Sequence, residues 1–154
     1  MKAVLQRVSR ARVTVNGEIT GEIEKGYLIL LGVMNGDTEQ EMKILAKKTA
    51  ELRVFEDENG KMNLSVLDVK GAALVVSQFT LCADVSHGRR PSFTPSAPPQ
   101  EAKQLYEGYV EELKRNGIEK VETGIFGADM AVELLNDGPV TILFDTDEWK
   151  KKAF

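Results

Sequence analysis

The chain has 154 residues, enough for a single domain (1–154) with a substantial core, and its 42% hydrophobic and 29% charged residues are ordinary for a globular protein. A net charge of −4 argues against binding nucleic acid mainly through a broad basic surface, though not against a local basic patch. No apolar run approaches the ~20 residues that span a bilayer, and the first seven residues turn polar too soon for a signal peptide, so no membrane association and a cytoplasmic location are expected.

Residues 2–15 read as a long strand with Ala11, Val13 and Val15 on one face, followed by the hairpin signal Asn16-Gly17. A two-residue turn would pair Val15 with Glu18. A three-residue loop pairing Val15 with Ile19, Val13 with Gly21 and Ala11 with Ile23 keeps one face apolar and is preferred. Tyr27 to Val33 is a continuous apolar run between glycines and reads as a buried strand. Thr38 and Glu41 form a capping box, and Met42, Leu45, Ala46, Thr49 and Leu52 follow at helical spacing, which predicts an amphipathic helix over 38–53. Residues 56–61 are a polar turn; their acids lack the spacing of a calcium loop.

Ala72 to Val76 is the next buried strand, and it runs into Ser77-Gln78-Phe79-Thr80-Leu81. If the chain stays extended there, Ser77 and Phe79 share one face and Gln78 and Thr80 the other. Such hydroxyls and an amide suit the binding of an ester and the support of an oxyanion. Taken alone, Ser77 and Thr80 are better read as a strand end whose hydroxyls bond the local backbone, which is the commoner case. Residues 82–99 form a long connection with four prolines and the pair Arg89-Arg90. Pro98 and Pro99 then open a helix carrying Ala102, Leu105, Tyr106, Tyr109, Val110 and Leu113, which Asn116-Gly117 stops. Lys120 to Glu122, Met130 to Leu135 and Val140 to Phe144 supply three late strands, the last two expected to pair antiparallel about the Asp137-Gly138-Pro139 turn. The order β-β-β-α-β-α-β-β-β is not a regular alternation. It predicts an α/β fold, a layered β/β/α domain with mostly antiparallel sheets and two main helices.

The chemistry is bounded by what is scarce. Cys82 is the only cysteine and His87 the only histidine, which rules out an internal disulfide and a cysteine-rich zinc site. No Gly-x-Ser-x-Gly elbow, phosphate loop or His-Glu-x-x-His is present, and no dedicated base for Thr80 is evident. The basic groups, Arg7, Arg10 and Arg12, Arg89-Arg90, and the short tail Lys150-Lys151-Lys152, are in the usual case solvated; Arg89-Arg90 stands out because its loop adjoins the Ser-Gln-Phe-Thr stretch.

Four stretches in order carry a resemblance. Ser77-Gln78-Phe79-Thr80-Leu81, Gly88-Arg89-Arg90-Pro91-Ser92-Phe93, Thr123 to Met130 and Asn136-Asp137-Gly138-Pro139-Val140-Thr141, with the opening Met1 to Val33, resemble the D-aminoacyl-tRNA deacylase family over nearly the whole chain. The main departure is His87, where relatives often carry lysine. The resemblance implies hydrolysis of the ester between a D-amino acid, or glycine, and the terminal adenosine of tRNA. It implies a homodimer in which a cis Gly138-Pro139 peptide reaches into the partner's pocket and rejects L-amino acids by its backbone carbonyls. It implies that Ser77, Gln78, Phe79 and Thr80 line that pocket as the catalytic set, with Thr80 as nucleophile or with the 2′-hydroxyl of the tRNA assisting water. Arg7, Phe126 and Met130 would support the site, Arg89 and Arg90 would touch the 3′ end of the aminoacylated tRNA, and no metal or cofactor would be needed. A general esterase using Thr80 or Ser77, and a non-catalytic dimeric binding protein on the same fold, are the other two readings.

Overall fold

A computed structural model describes residues 1–151; Lys152 of the basic tail lies outside the described residues. The strands are β1 (Lys2–Val15), β2 (Glu18–Ile23), β3 (Gly26–Gly32), β4 (Phe55–Glu56), β5 (Met62–Leu64), β6 (Ala72–Ser77), β7 (Val121–Thr123) and β8 (Ala131–Asp145). The helices are α1 (Glu39–Glu51), α2 (Pro99–Arg115) and the short α3 (Thr146–Lys151). The main sheet runs β2-β1-β3-β6-β7, with β8 on the free edge of β1. β1 pairs antiparallel with β2, β3 and β8, whereas β3-β6 and β6-β7 are parallel, so the sheet is more mixed than the sequence suggested.

The sheet curls until β2 meets β7, where the Thr20 hydroxyl lies 3.4 Å from the Thr123 carbonyl oxygen. This makes two apolar layers. Val8, Ala11, Val13, Ile23, Leu28, Leu74 and Val76 fill the inside of the curl. Leu5, Tyr27, Ile29, Leu31 and Val75 face outward against Leu45 and Ala46 of α1 and Tyr109 and Leu113 of α2. β3 and β6 are thus covered on both faces, which is why both read as unbroken apolar runs. β1 manages the change of face with irregularities either side of Val8: Ala3 and Leu5 point to the helices, while Val8, Ala11 and Val13 point inside.

α1 begins as expected. Glu41 accepts from the Thr38 backbone N–H at 2.8 Å, and the Thr38 hydroxyl accepts from the Gln40 N–H at 3.2 Å. The first hairpin differs from expectation. Asn16 and Gly17, with φ of 50° and 80°, form a two-residue turn that pairs Val15 with Glu18. A bulge between Val13 and Thr14 then restores the expected Val13–Gly21 and Ala11–Ile23 pairs. Turn chemistry set the loop and the apolar face set the register beyond it.

The C-terminal region departs most. Residues 131–145 form one strand, not an antiparallel pair: Ala131 to Asn136 lie along Thr14 to Val8, and Thr141 to Asp145 continue along Gln6 to Lys2. Between these ladders β1 spends one residue, Arg7, and β8 spends four, Asp137 to Val140. The turn-forming residues therefore make a wide bulge rather than a reversal. Asn136 braces it, accepting from the Val140 N–H at 3.1 Å and reaching the Thr141 hydroxyl at 3.3 Å. α3 is a third helix that the sequence did not reveal. Trp149 packs edge-on to Phe144, and Lys150 pairs with Glu41. No helix of the described residues is long and apolar enough to cross a membrane.

Candidate functional site

Parallel pairing brings Leu31 of β3 level with Ser77 of β6, and the Gln78 N–H continues the ladder to the Leu31 carbonyl at 2.8 Å. The chain then leaves the sheet. Phe79–Cys82 forms a 3-10 turn instead of staying extended, so the expected sharing of faces beyond Ser77 does not hold. Gly32 makes room for the turn: a β-carbon there would lie 3.0 Å from Leu81 Cβ and 3.1 Å from the Gln78 carbonyl oxygen. Cys82 is buried against the Val33 carbonyl, and burial pushes its thiol up, away from the thiolate a nucleophile needs.

Where β3 and β6 end and α2 begins, a cavity of about 560 Å³ opens. Ser77, Gln78 and Phe79 form one side; Ala97, Pro98, Pro99, Ala102 and Tyr106 form another; Asn35, Phe93 and Phe126 close the rim. The lining is mostly apolar with a few polar groups, as a small-molecule site requires. Tyr106 is fixed by donating to the Val75 carbonyl at 3.0 Å, and burial raises its phenol to about 12, so it stays neutral. Phe126 meets its ring edge-on at 5.8 Å.

Thr80 is exposed beside the cavity rather than among its lining residues. Its hydroxyl lies 2.9 Å from the Gln78 amide nitrogen. An amide is no base in either orientation, so this contact orients Thr80 without activating it. His87 sits exposed in the 84–92 loop with Arg89 and Arg90.

The Gly138-Pro139 peptide, which is cis, lies elsewhere in the chain. Its neighbour is Arg7, whose guanidinium is buried in the β1 face. Arg7 Nε donates to the Asp137 carbonyl at 3.0 Å and Nη1 to the Val54 carbonyl at 2.8 Å, with the Glu56 carboxylate 3.7 Å away. Ala3, which pairs with Leu31 beside Ser77, is four residues back along β1, roughly 14 Å at strand spacing. Neither Gly138 nor Pro139 lines the cavity of its own chain.

The structure therefore gathers Ser77, Gln78, Phe79 and Phe126 at the cavity, Arg7 with Gly138 at the bulge, and Arg89 with Arg90 on an outer loop. Met130 belongs to none of these; it packs against the inner layer over Gly124. Sequence reasoning missed Asn35, Phe93, Ala102 and Tyr106. Tyr106 lay hidden in the helical apolar stripe of α2, and the signal for Phe93 was its place in a long loop beside the Ser-Gln-Phe-Thr stretch.

Residues 4–145 match the family model described as D-Tyr-tRNA(Tyr) deacylase. A D-aminoacyl-tRNA deacylase of Koribacter versatilis (strain Ellin345) is 60% identical over 154 residues, covering all of both chains. Among solved structures, one described as c-Myc DNA Unwinding Element Binding Protein superposes with a TM-score of 0.89 at 44% identity, over 94% of this chain and 98% of that one. A second, a probable eukaryotic D-amino acid tRNA deacylase, has a TM-score of 0.81 at 16% identity over the same shares, a likeness of fold alone. On the breadth and identity of these matches, the chain belongs to the D-Tyr-tRNA(Tyr) deacylase family.

Proposed function

We propose that this chain is a D-aminoacyl-tRNA deacylase. It hydrolyses the ester between a D-amino acid, or glycine, and the terminal adenosine of tRNA, and so removes mischarged residues before translation uses them. The observation that carries this reading is the full-length identity of 60% to a D-aminoacyl-tRNA deacylase.

In this reading Ser77, Gln78, Phe79 and Thr80 hold the adenosine and the scissile carbonyl, with Phe126 in support. With no base beside Thr80, the attacking nucleophile is water. Its oxygen adds to the ester carbonyl carbon, the bond to the ribose oxygen breaks, and the adjacent 2′-hydroxyl of the tRNA relays the proton to the departing oxygen. No cofactor or metal takes part.

The working unit is a homodimer in the cytoplasm. Two observations support the dimer. The Gly138-Pro139 peptide is exposed and remote from its own cavity, and β8 carries the exposed side chains Leu134, Leu135 and Leu143. Gly138 and Pro139 would then wall the partner's cavity, where fixed backbone atoms reject an L side chain and leave a D side chain free. Such a steric filter serves many D-amino acids and cannot reject glycine.

Incubating the purified protein with D-Tyr-tRNA and L-Tyr-tRNA tests this. Cleavage of the D form alone is expected. Comparable cleavage of both would make the protein a general esterase, and cleavage of neither a binding protein.

A further inference from the structure

We propose that Phe93, edge-on to Phe79 at the cavity rim, is a stacking surface for the unpaired base that precedes the terminal adenosine of the bound tRNA. The inference rests on the deacylase reading and says how the strand beyond the terminal nucleotide is held.

Phe79 and Phe93 are two large apolar rings left open to solvent, with 57% and 38% of their surfaces exposed. Their centroids are 4.9 Å apart and their planes cross at 67°. Neither ring belongs to the apolar layers that hold the fold together. A paired aromatic rim on a mostly apolar cavity is poorly explained by folding and well explained by a flat ligand.

The segment around Phe93 is held rigid. Asp84 and Ser92 exchange both backbone hydrogen bonds, at 2.8 and 2.9 Å, and so close residues 85–91 into a loop. The Phe93 carbonyl accepts from the Ser96 N–H at 3.0 Å. Asn35 then ties the next residues to the end of β3, donating from its side chain to the Thr94 carbonyl and from its backbone to the Pro95 carbonyl, each at 2.8 Å. A ring fixed in this way loses little freedom when a base lands on it.

The surrounding charge continues the path. Arg89 and Arg90 are exposed on the closed loop just before Phe93. Among the described residues the arginine ion pairs belong to Arg7, Arg12 and Arg115, which leaves these two guanidiniums free. Three residues of chain span at most about 10 Å, so Arg90 is close enough to meet phosphates flanking a base on Phe93. Aromatic faces beside a basic track are how single strands are gripped without regard to sequence, because every base has a stacking face.

The test compares a whole and a truncated substrate, D-Tyr-tRNA and 3′-O-D-tyrosyl-adenosine, with Phe93→Ala, Phe93→Leu and Phe93→Trp. The alanine and leucine variants should raise KM for D-Tyr-tRNA about tenfold more than they raise KM for the adenosine ester. Phe93→Trp should restore the tRNA KM. An equal loss on both substrates would overturn the inference, since Phe93 would then shape the terminal adenosine or aminoacyl pocket. So would no loss on either, or full rescue by leucine, which fills space without a stacking face. If the unsubstituted protein cleaves neither substrate, the deacylase reading falls and this inference with it, a result distinct from any pattern among the variants.

Discussion

The Arg7 guanidinium lies beneath the bulge of β8, its Nε 3.0 Å from the carbonyl oxygen of Asp137. Through Nη1 the same side chain holds Val54, the residue before the β4–β5 hairpin. One buried cation thus fixes the height of a four-residue bulge against a hairpin from the middle of the chain. A fork of five donors in a plane suits this task, and a lysine ammonium does not.

Arg7→Ala should leave two carbonyls short of a donor, at about 1–3 kcal/mol for each that stays buried. The bulge should lose its fixed position, so chiral discrimination should fall while the circular dichroism spectrum is kept. Arg7→Lys should behave more like alanine than like the parent. Unchanged D-to-L selectivity in a folded Arg7→Ala protein would show that the bulge holds its shape without the cation.

Gly138→Ala is expected to be worse for function than for folding. Gly138 has φ +132°, a region that suits glycine, and a β-carbon there would sit 2.9 Å from Val140 Cγ2 and 3.0 Å from Arg7 Nη2. Backbone strain of this kind amounts to roughly 1–3 kcal/mol. The melting temperature should drop modestly, and hydrolysis of D-Tyr-tRNA should drop strongly or be joined by cleavage of L-Tyr-tRNA. A variant with parental activity on both substrates would remove Gly138 from the filter.

Thr80→Ala should keep much of the deacylase activity, because only an amide faces the Thr80 hydroxyl. Blocking the 2′-hydroxyl of the tRNA should remove most of it. Trapping an aminoacyl adduct on Thr80 by mass spectrometry would reverse the assignment and make Thr80 the nucleophile.

Replacing Arg89 and Arg90 together with alanine should weaken tRNA binding for every D-amino acid alike. Each lost phosphate contact on the unpaired strand should also lower the slope of log affinity against log salt by about 0.7. An unchanged slope would mark both side chains as solvated charges.

Glu41 sets an acid limit on stability. Burial alone would raise its carboxyl, but the Lys150 ammonium and the hydroxyl and N–H of Thr38 outweigh burial and hold it at about 2, against an ordinary 4.5. A depressed carboxyl contributes fully above its unfolded value, and the contribution fades as pH falls from about 4.5 toward 2. Urea midpoints should therefore decline over that window, and Glu41→Gln should be less stable at pH 7 with a flatter decline. Parallel curves for the two proteins would contradict this.

The parts of the fold legible in the sequence were those governed by nearby residues. β3 and β6 announced themselves by unbroken apolar runs, and α1 by Thr38, Glu41 and a 3.6-residue stripe. β8 was misread because Asn136 to Pro139 carry every local mark of a reversal. Its true course depends on β1, more than a hundred residues earlier, and pairing on both sides of Arg7 overrides the local preference. α3 was invisible for a similar reason: Lys150 finds its partner in Glu41, more than a hundred residues earlier in the chain. At the site, Ser77 to Phe79 stood out because polar groups end an apolar strand. Tyr106 and Ala102 did not, since a cavity wall on one face of α2 uses the same residue types as the core behind it.

β1 is made more than a hundred residues before β8, yet the two lie side by side over most of their lengths. Until residue 131 has been made, one edge of β1 has no partner from its own chain, and an open strand edge invites pairing with whatever extended chain is near. Neighbouring nascent chains on one messenger, each displaying the same unpaired edge, form such a population. Slow decoding of the codons for β8 should thus lower the yield of folded protein even though almost the whole core is already synthesised.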